Sequence, residues 1–266
     1  MAVADTYGEL AVELGDDHVA TIELRRPPNN HISIGVVDGL HAALGDLDAD
    51  ERCRAIVLCA AGKHFCAGGD FSGGDSADTS AVDPETGRRR GVYDNADRFF
   101  ATAKPIVAAV QGAAIGAGLG LSLVADFRVA APEARFSANF ARLGFHHGFV
   151  LTATLPRVVG QQKALEMLYT GCRLKADEAL AIGLVDRVVP ADELRAAAHA
   201  LAREIAISAP LAVASIRATM RAELVEAVRA AIGRERAEQD RLRRTEDWKE
   251  GVRAMAERRV PDFKGR

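Results

Sequence analysis

The chain reads as an α/β protein with a helical C-terminal region. Three observations lead there: alternating segments near the N-terminus, two strongly apolar runs that each end in a glycine-rich turn, and helical periodicity that accumulates after residue 150. Residues 9–14 and 19–24 alternate apolar and polar side chains on either side of GDD, a hairpin signal, and the prolines of RRPPNNH stop the second strand. Residues 33–47 then place Ile34, Val37, Leu40, Ala43, Leu44 and Leu47 at the spacing of one buried helix face. RAIVLCA, residues 54–60, suits a buried strand and delivers the first turn, HFCAGGD, at residues 64–70. PIVAAV, residues 105–110, delivers the second, QGAAIGAGLGLSL, at residues 111–123. From Gly116 the segment reads as the start of a buried helix, whose first N–H groups lack intrahelical partners. Two such turns can present backbone N–H groups to one anionic oxygen.

Residues 71–90 are rich in Gly, Ser, Asp and Thr and read as a mobile loop. GVYDNADRFFATA reads as a helix, with Val92, Ala96, Phe99 and Phe100 as candidates to line a pocket, and DFRVA, residues 126–130, as a strand. Helices are expected at residues 152–158, 162–169, 176–182 and 191–208, with a short strand at 185–189 and a charged amphipathic helical series over 211–258. Gly171 and Gly183 stand where helices stop.

With 266 residues and 48% hydrophobic content the chain has ample material for one α/β core. The formal net charge of −3 gives no electrostatic footprint for nucleic acid, and the arginine clusters at 88–90 and 241–244 read as solvated faces. Cys53, Cys59, Cys66 and Cys172 show neither CxxC pairing nor metal-ligand spacing, so reduced thiols and no metal are expected. No apolar run of signal or membrane-spanning type opens the sequence, and a cytoplasmic location without a membrane partner is expected.

RAIVLCAAGKHFCAGGD followed by KPIVAAVQGAAIGAGLGLSLVADFRVA resembles the crotonase (enoyl-CoA hydratase/isomerase) superfamily. The match stays in register from TIELRRP through LPRVVGQQKALEMLYTG and ALAIGLVDRVV to EGVRAMAERRVPDF, and so covers most of the chain. The resemblance implies a spiral of stacked ββα units over residues 1–195, and a helical C-terminal region over 196–266 that assembles a homotrimer or hexamer. It also implies that Gly69 N–H and Ala117 N–H form an oxyanion hole for an acyl-CoA thioester, with coenzyme A as part of the substrate and no permanently bound cofactor. Asp126 falls where family members carry an acidic residue for structural reasons.

The sequence departs from the family pattern at the two positions that usually carry catalytic glutamates. Three residues beyond Ala117 stands Gly120, and four residues before Gly144 stands Phe140. Hydration of a conjugated thioester needs a base for the water and an acid for the α-carbon, and each such group is worth about 10²–10⁴ in rate. Ordinary hydratase activity is therefore put in doubt. His146 and His147, just beyond Gly144, are the candidate replacements, with His147 favoured; the alternative is that they cap the following helix or meet a neighbouring subunit. His18, His31, His41 and His199 read as loop or surface-helix residues. For coenzyme A, the resemblance implies contacts from Arg26, Ala67 and Gly68 on one side, and from Met255 and Arg258 of a late helix, reaching a neighbour's site, on the other; Phe140 is a candidate substrate contact. Three functions stay open: an enzyme working through an enolate, a non-catalytic acyl-CoA binder, and a carbon–carbon hydrolase acting on a β-diketone.

Overall fold

The computed structural model describes residues 3–70, 80–82 and 89–266. Short β1 (Thr6–Tyr7) and β2 (Leu10–Leu14) run antiparallel, and the expected hairpin pairs β2 with β3 (Val19–Leu24), Leu14 lying opposite Ala20. Ser33 caps α1 (Ile34–Ala49) by accepting the Val36 N–H at 3.2 Å. The face that α1 buries is the expected one, Val37, Leu40, Ala43, Leu44 and Leu47, with Val36 in addition and Ile34 only partly covered.

The remaining strands, in chain order, are β4 (Ala55–Ala60), β5 (Ser80–Val82), β6 (Arg89–Gly91), β7 (Ile106–Val110), β8 (Ala113–Ile115), β9 (Phe127–Ala130), β10 (Arg135–Ser137), β11 (Leu174–Lys175) and β12 (Arg187–Val188). The main sheet has the order β1-β2-β3-β4-β7-β9-β12 and is parallel from β3 onward. A parallel strand is covered on both faces, which explains why all six residues of β4 are buried. Ile56 and Leu58 face the larger core with α1, whereas Val57 and Cys59 face the alanines of α7 (Leu194–Ala206), once the intervening helices have been passed. Those intervening helices are α2 (Asp97–Phe100), α3 (Ala117–Ser122), α4 (Leu151–Val159), α5 (Gln161–Thr170) and α6 (Ala176–Ala181). Strands β8, β10 and β11 make a second sheet of three, and β5 pairs with β6 as a separate ribbon.

Several expectations need correction. The helix expected from GVYDNADRFFATA is a single turn, α2, and Val92, Ala96, Phe99 and Phe100 are buried in the core and do not line the cavity on which the two glycine turns open. Their apolar side chains are consumed by packing, with His41 stacked on Phe99 at 4.1 Å between ring centroids. Residues 71–79 and 83–88 of the expected loop lie outside the described residues. The C-terminal helical series breaks into α8 (Pro210–Leu242) and α9 (Glu246–Glu257), because Thr245 accepts the Trp248 N–H at 3.1 Å and starts a new helix. Arg243, expected to be solvated, instead lies over the rings of Phe145 and Trp248. Asp126 has the structural role expected of it. It accepts the Ile106 N–H at 2.8 Å and pairs with Arg217 Nε (3.0 Å) and Arg221 Nε (2.8 Å), tying α8 to the start of β7.

Candidate active site

The two glycine turns lie side by side because the backbone between β4 and β8 is stitched together. Cys66 N–H donates to the Ala113 carbonyl at 2.9 Å and Ile115 N–H donates to the Cys66 carbonyl at 3.0 Å, a parallel bridge that sets one turn against the other. The approach is close enough to demand glycine. A Cβ at Gly118 would overlap the Cys66 carbonyl, and one at Gly68, where φ is +94°, would stand 2.9 Å from the Ile115 oxygen and 3.9 Å from the Ala117 nitrogen.

Ala117 is the first residue of α3, so its N–H has no partner within the helix. Among the described residues neither Gly69 N–H nor Ala117 N–H donates to a backbone carbonyl, although their neighbours do: Ala67 N–H to Asn29 at 2.9 Å and Gly116 N–H to Ser137 at 2.8 Å. Both residues open on one cavity of about 520 Å³. Ala67, Gly68, Arg26, Phe140 and Met255 line it too, so seven of the expected site residues share one space.

The other three do not. Arg258 ends α9 in the left-handed conformation (φ +56°), exposed and outside the lining. Met255 meets the cavity of its own chain, with Val252 and Ala256, where a helix reaching a neighbour's site was expected; Gly251 lets α9 lie against the backbone of Leu143. Neither His146 nor His147 lines the cavity. The cause is the turn that follows them, in which Phe149 (φ +55°) and Val150 (φ +53°) are both left-handed. That turn is held by buried Glu235 of α8, whose carboxylate accepts Val150 N–H at 2.8 Å and Thr152 N–H at 3.0 Å. His147 Nε2 is bonded to Thr152 Oγ1 at 2.7 Å and lies 3.7 Å from Glu235, while His146 Nδ1 donates to the His147 carbonyl at 2.8 Å.

The same turn explains Gly120. A Cβ there would come within 2.6–2.7 Å of the Phe149 side chain, so the space beside Gly120 is filled by an aromatic ring from the turn. Phe140 packs on Phe145 at 5.4 Å and contributes an apolar wall. Among the described residues, the titratable side chains that do line the cavity are Arg26, His31, Asp70 and Tyr93, and the sequence did not point to His31, Asp70 or Tyr93 as lining it. Desolvation pushes the Tyr93 hydroxyl pKa up, which keeps it a neutral donor and acceptor.

Burial lowers the pKa of His147 to about 4, with the neighbouring His146 acting in the same direction, and burial likewise lowers His41 to about 4. Both are neutral when folded, whereas an unfolded histidine titrates near 6.5. The unfolded chain thus binds more protons between those values, so stability is complete above roughly pH 6.5 and falls as the pH drops toward 4. Denaturant titrations across this window should show that slope, and His41→Phe should reduce it by up to about one proton. An unaltered slope would contradict the assignment for His41.

A parallel-sheet α/β protein whose two interlocked glycine turns face a single apolar-walled cavity is the class that fold and site define. The chain belongs to the enoyl-CoA hydratase/isomerase family, whose model matches residues 15–266. It is 32% identical over 255 residues to a probable enoyl-CoA hydratase of Bacillus subtilis, covering 94% of this chain and 96% of that protein. Identity is also 32%, over 253 residues, with the short-chain-enoyl-CoA hydratase of Clostridium acetobutylicum, covering 93% and 95% of the two chains. The crystal structure of an enoyl-CoA hydratase/isomerase from Pseudoalteromonas atlantica T6c superposes with a TM-score of 0.85 at 31% identity, over 96% of this chain and 100% of that one.

Proposed function

We propose that the cavity binds an acyl-CoA thioester, with the carbonyl oxygen received by Gly69 N–H and Ala117 N–H, and that these donors stabilise the enolate formed when the α-carbon loses a proton. The observation that carries this reading is the opening of both turns on one cavity, with their N–H groups unused by other backbone carbonyls among the described residues. Donors aimed at a developing oxyanion are worth more inside such a site than in water. Arg26 and Met255 supply a cation and an apolar surface for the coenzyme A portion, and Phe140 with Phe145 supplies the apolar wall. Assembly into a trimer or hexamer fits the exposed apolar side chains on the first half of α8, Leu211, Ile216 and Met220.

Proton transfer in this reading belongs to Asp70 and Tyr93, which line the cavity, and not to His147, which does not. Ordinary hydration lacks its usual pair of carboxylates at Gly120 and Phe140. Crotonyl-CoA hydration is therefore expected to run about 10²-fold or more below that of an enzyme carrying both groups. Exchange of the α-protons of butyryl-CoA in heavy water, followed by NMR, is the discriminating assay. Measurable exchange without efficient hydration is the expected result, and tight binding with no exchange would favour the second reading, an acyl-CoA binder. That reading has one observation of its own, the retraction of both histidines behind the Phe149–Val150 turn.

A further inference from the structure

We infer that His31 is a positioning residue of the oxyanion hole, acting through the peptide that joins Gly68 to Gly69. The inference rests on the proposed thioester reading and adds a side chain to it. The Gly68 carbonyl accepts Ile32 N–H at 2.9 Å and contacts His31 Nδ1 at 3.2 Å. A carbonyl oxygen only accepts, so the contact makes Nδ1 the protonated nitrogen of the ring. In a planar trans peptide the C=O and N–H point in opposite directions, and the Gly68 carbonyl belongs to the same peptide as the Gly69 N–H. Two donors on that oxygen therefore fix the direction of the N–H on the far side. They also polarise it, since hydrogen bonds in series strengthen one another by about 10–30%.

The loop that carries His31 is built to hold this position. Asn30 is fully buried in a left-handed conformation (φ +50°), with its Nδ2 donating to the carbonyls of Ala61 and His64 at 2.7 Å each and its Oδ1 accepting Arg26 N–H at 2.9 Å. Ala67 N–H donates to the Asn29 carbonyl at 2.9 Å, so residues 29–32 run along the first glycine turn at fixed spacing. His31 itself lines the cavity and is only partly buried, so changing it leaves the core untouched.

The test uses para-aminocinnamoyl-CoA, whose absorption band moves to the red when its carbonyl is polarised, together with the α-proton exchange assay. The full-length protein is expected to show the red shift. His31→Leu is expected to lose roughly 10–30% of that shift and to slow exchange roughly two- to eightfold at saturation, with KM unchanged. His31→Asn, whose side-chain amide can take the place of Nδ1–H, should recover both; His31→Gln, whose amide lies nearer the Nε2 position, should behave as His31→Leu does and serves if the leucine variant does not fold. A merely structural role would lower stability or binding without this split between kcat and KM. If the wild-type protein binds the probe with no red shift, the thioester reading fails and the role of His31 fails with it. If the wild-type shift is present and the leucine and glutamine variants match it, or asparagine restores nothing, the role of His31 is refuted while the thioester reading stands.

Discussion

Ala117→Pro is expected to lower α-proton exchange by about 10²–10³, the usual cost of removing one oxyanion donor. The substitution is unusually clean because Ala117 is the first residue of α3, a position where proline is favoured and the missing N–H had no intrahelical partner. The helix is retained and a single hydrogen-bond donor disappears from the cavity wall. Exchange rates and thermal melts measured together check this: a large loss of rate with a melting temperature changed by only a few degrees is the expected pair. Unchanged exchange would remove Ala117 from the site.

Gly118→Ala should have the largest effect on stability. Its Cβ would overlap the Cys66 carbonyl oxygen and stand 2.7 Å from the carbonyl carbon, which is backbone held in a bridge and unable to rotate away. Overpacking typically costs about 1–3 kcal/mol, and a clash against fixed backbone belongs at or above the top of that range. For a chain of this length that corresponds to a fall in Tm of roughly 6–12 °C, with loss of exchange as the two turns separate. Gly45→Ala is the control: it lies within α1 with nothing within 4 Å of the added atom, and alanine there should gain roughly 0.5–1 kcal/mol of stability. Equal melting temperatures for the two variants would contradict the interlocked-turn account.

How much could be read from the sequence depended on how local the cause was. The glycine turns were legible because each follows a wholly apolar strand and because close backbone approach requires glycine at Gly118, a constraint written at a single position. The face of α1 was legible for the same reason, since its period lies within one segment. His31 was not. Its place depends on a contact with a carbonyl 37 residues away, and nothing in RRPPNNH separates it from a loop histidine. The same limit misplaced His146 and His147, where position after Gly144 is suggestive but, ahead of the left-handed turn at Phe149 and Val150, His147 bonds Thr152 beside Glu235 and His146 bonds the His147 carbonyl. A valine at positive φ is not announced by its sequence; it is imposed by Glu235, 85 residues later, which binds its N–H. Tyr93 was passed over because the apolar residues around it looked like the pocket wall, yet those side chains fill the core and leave the tyrosine at the cavity.

The central claim is that Gly69 N–H and Ala117 N–H receive one thioester oxygen. Isotope-edited infrared spectroscopy of an acyl-CoA labelled with carbon-13 at the thioester carbonyl tests it directly. The carbonyl stretch is expected to move to lower wavenumber on binding to the wild-type protein and to move back toward its free value in Ala117→Pro. A bound thioester whose carbonyl stretch stays at the free value in the wild-type protein would contradict the claim.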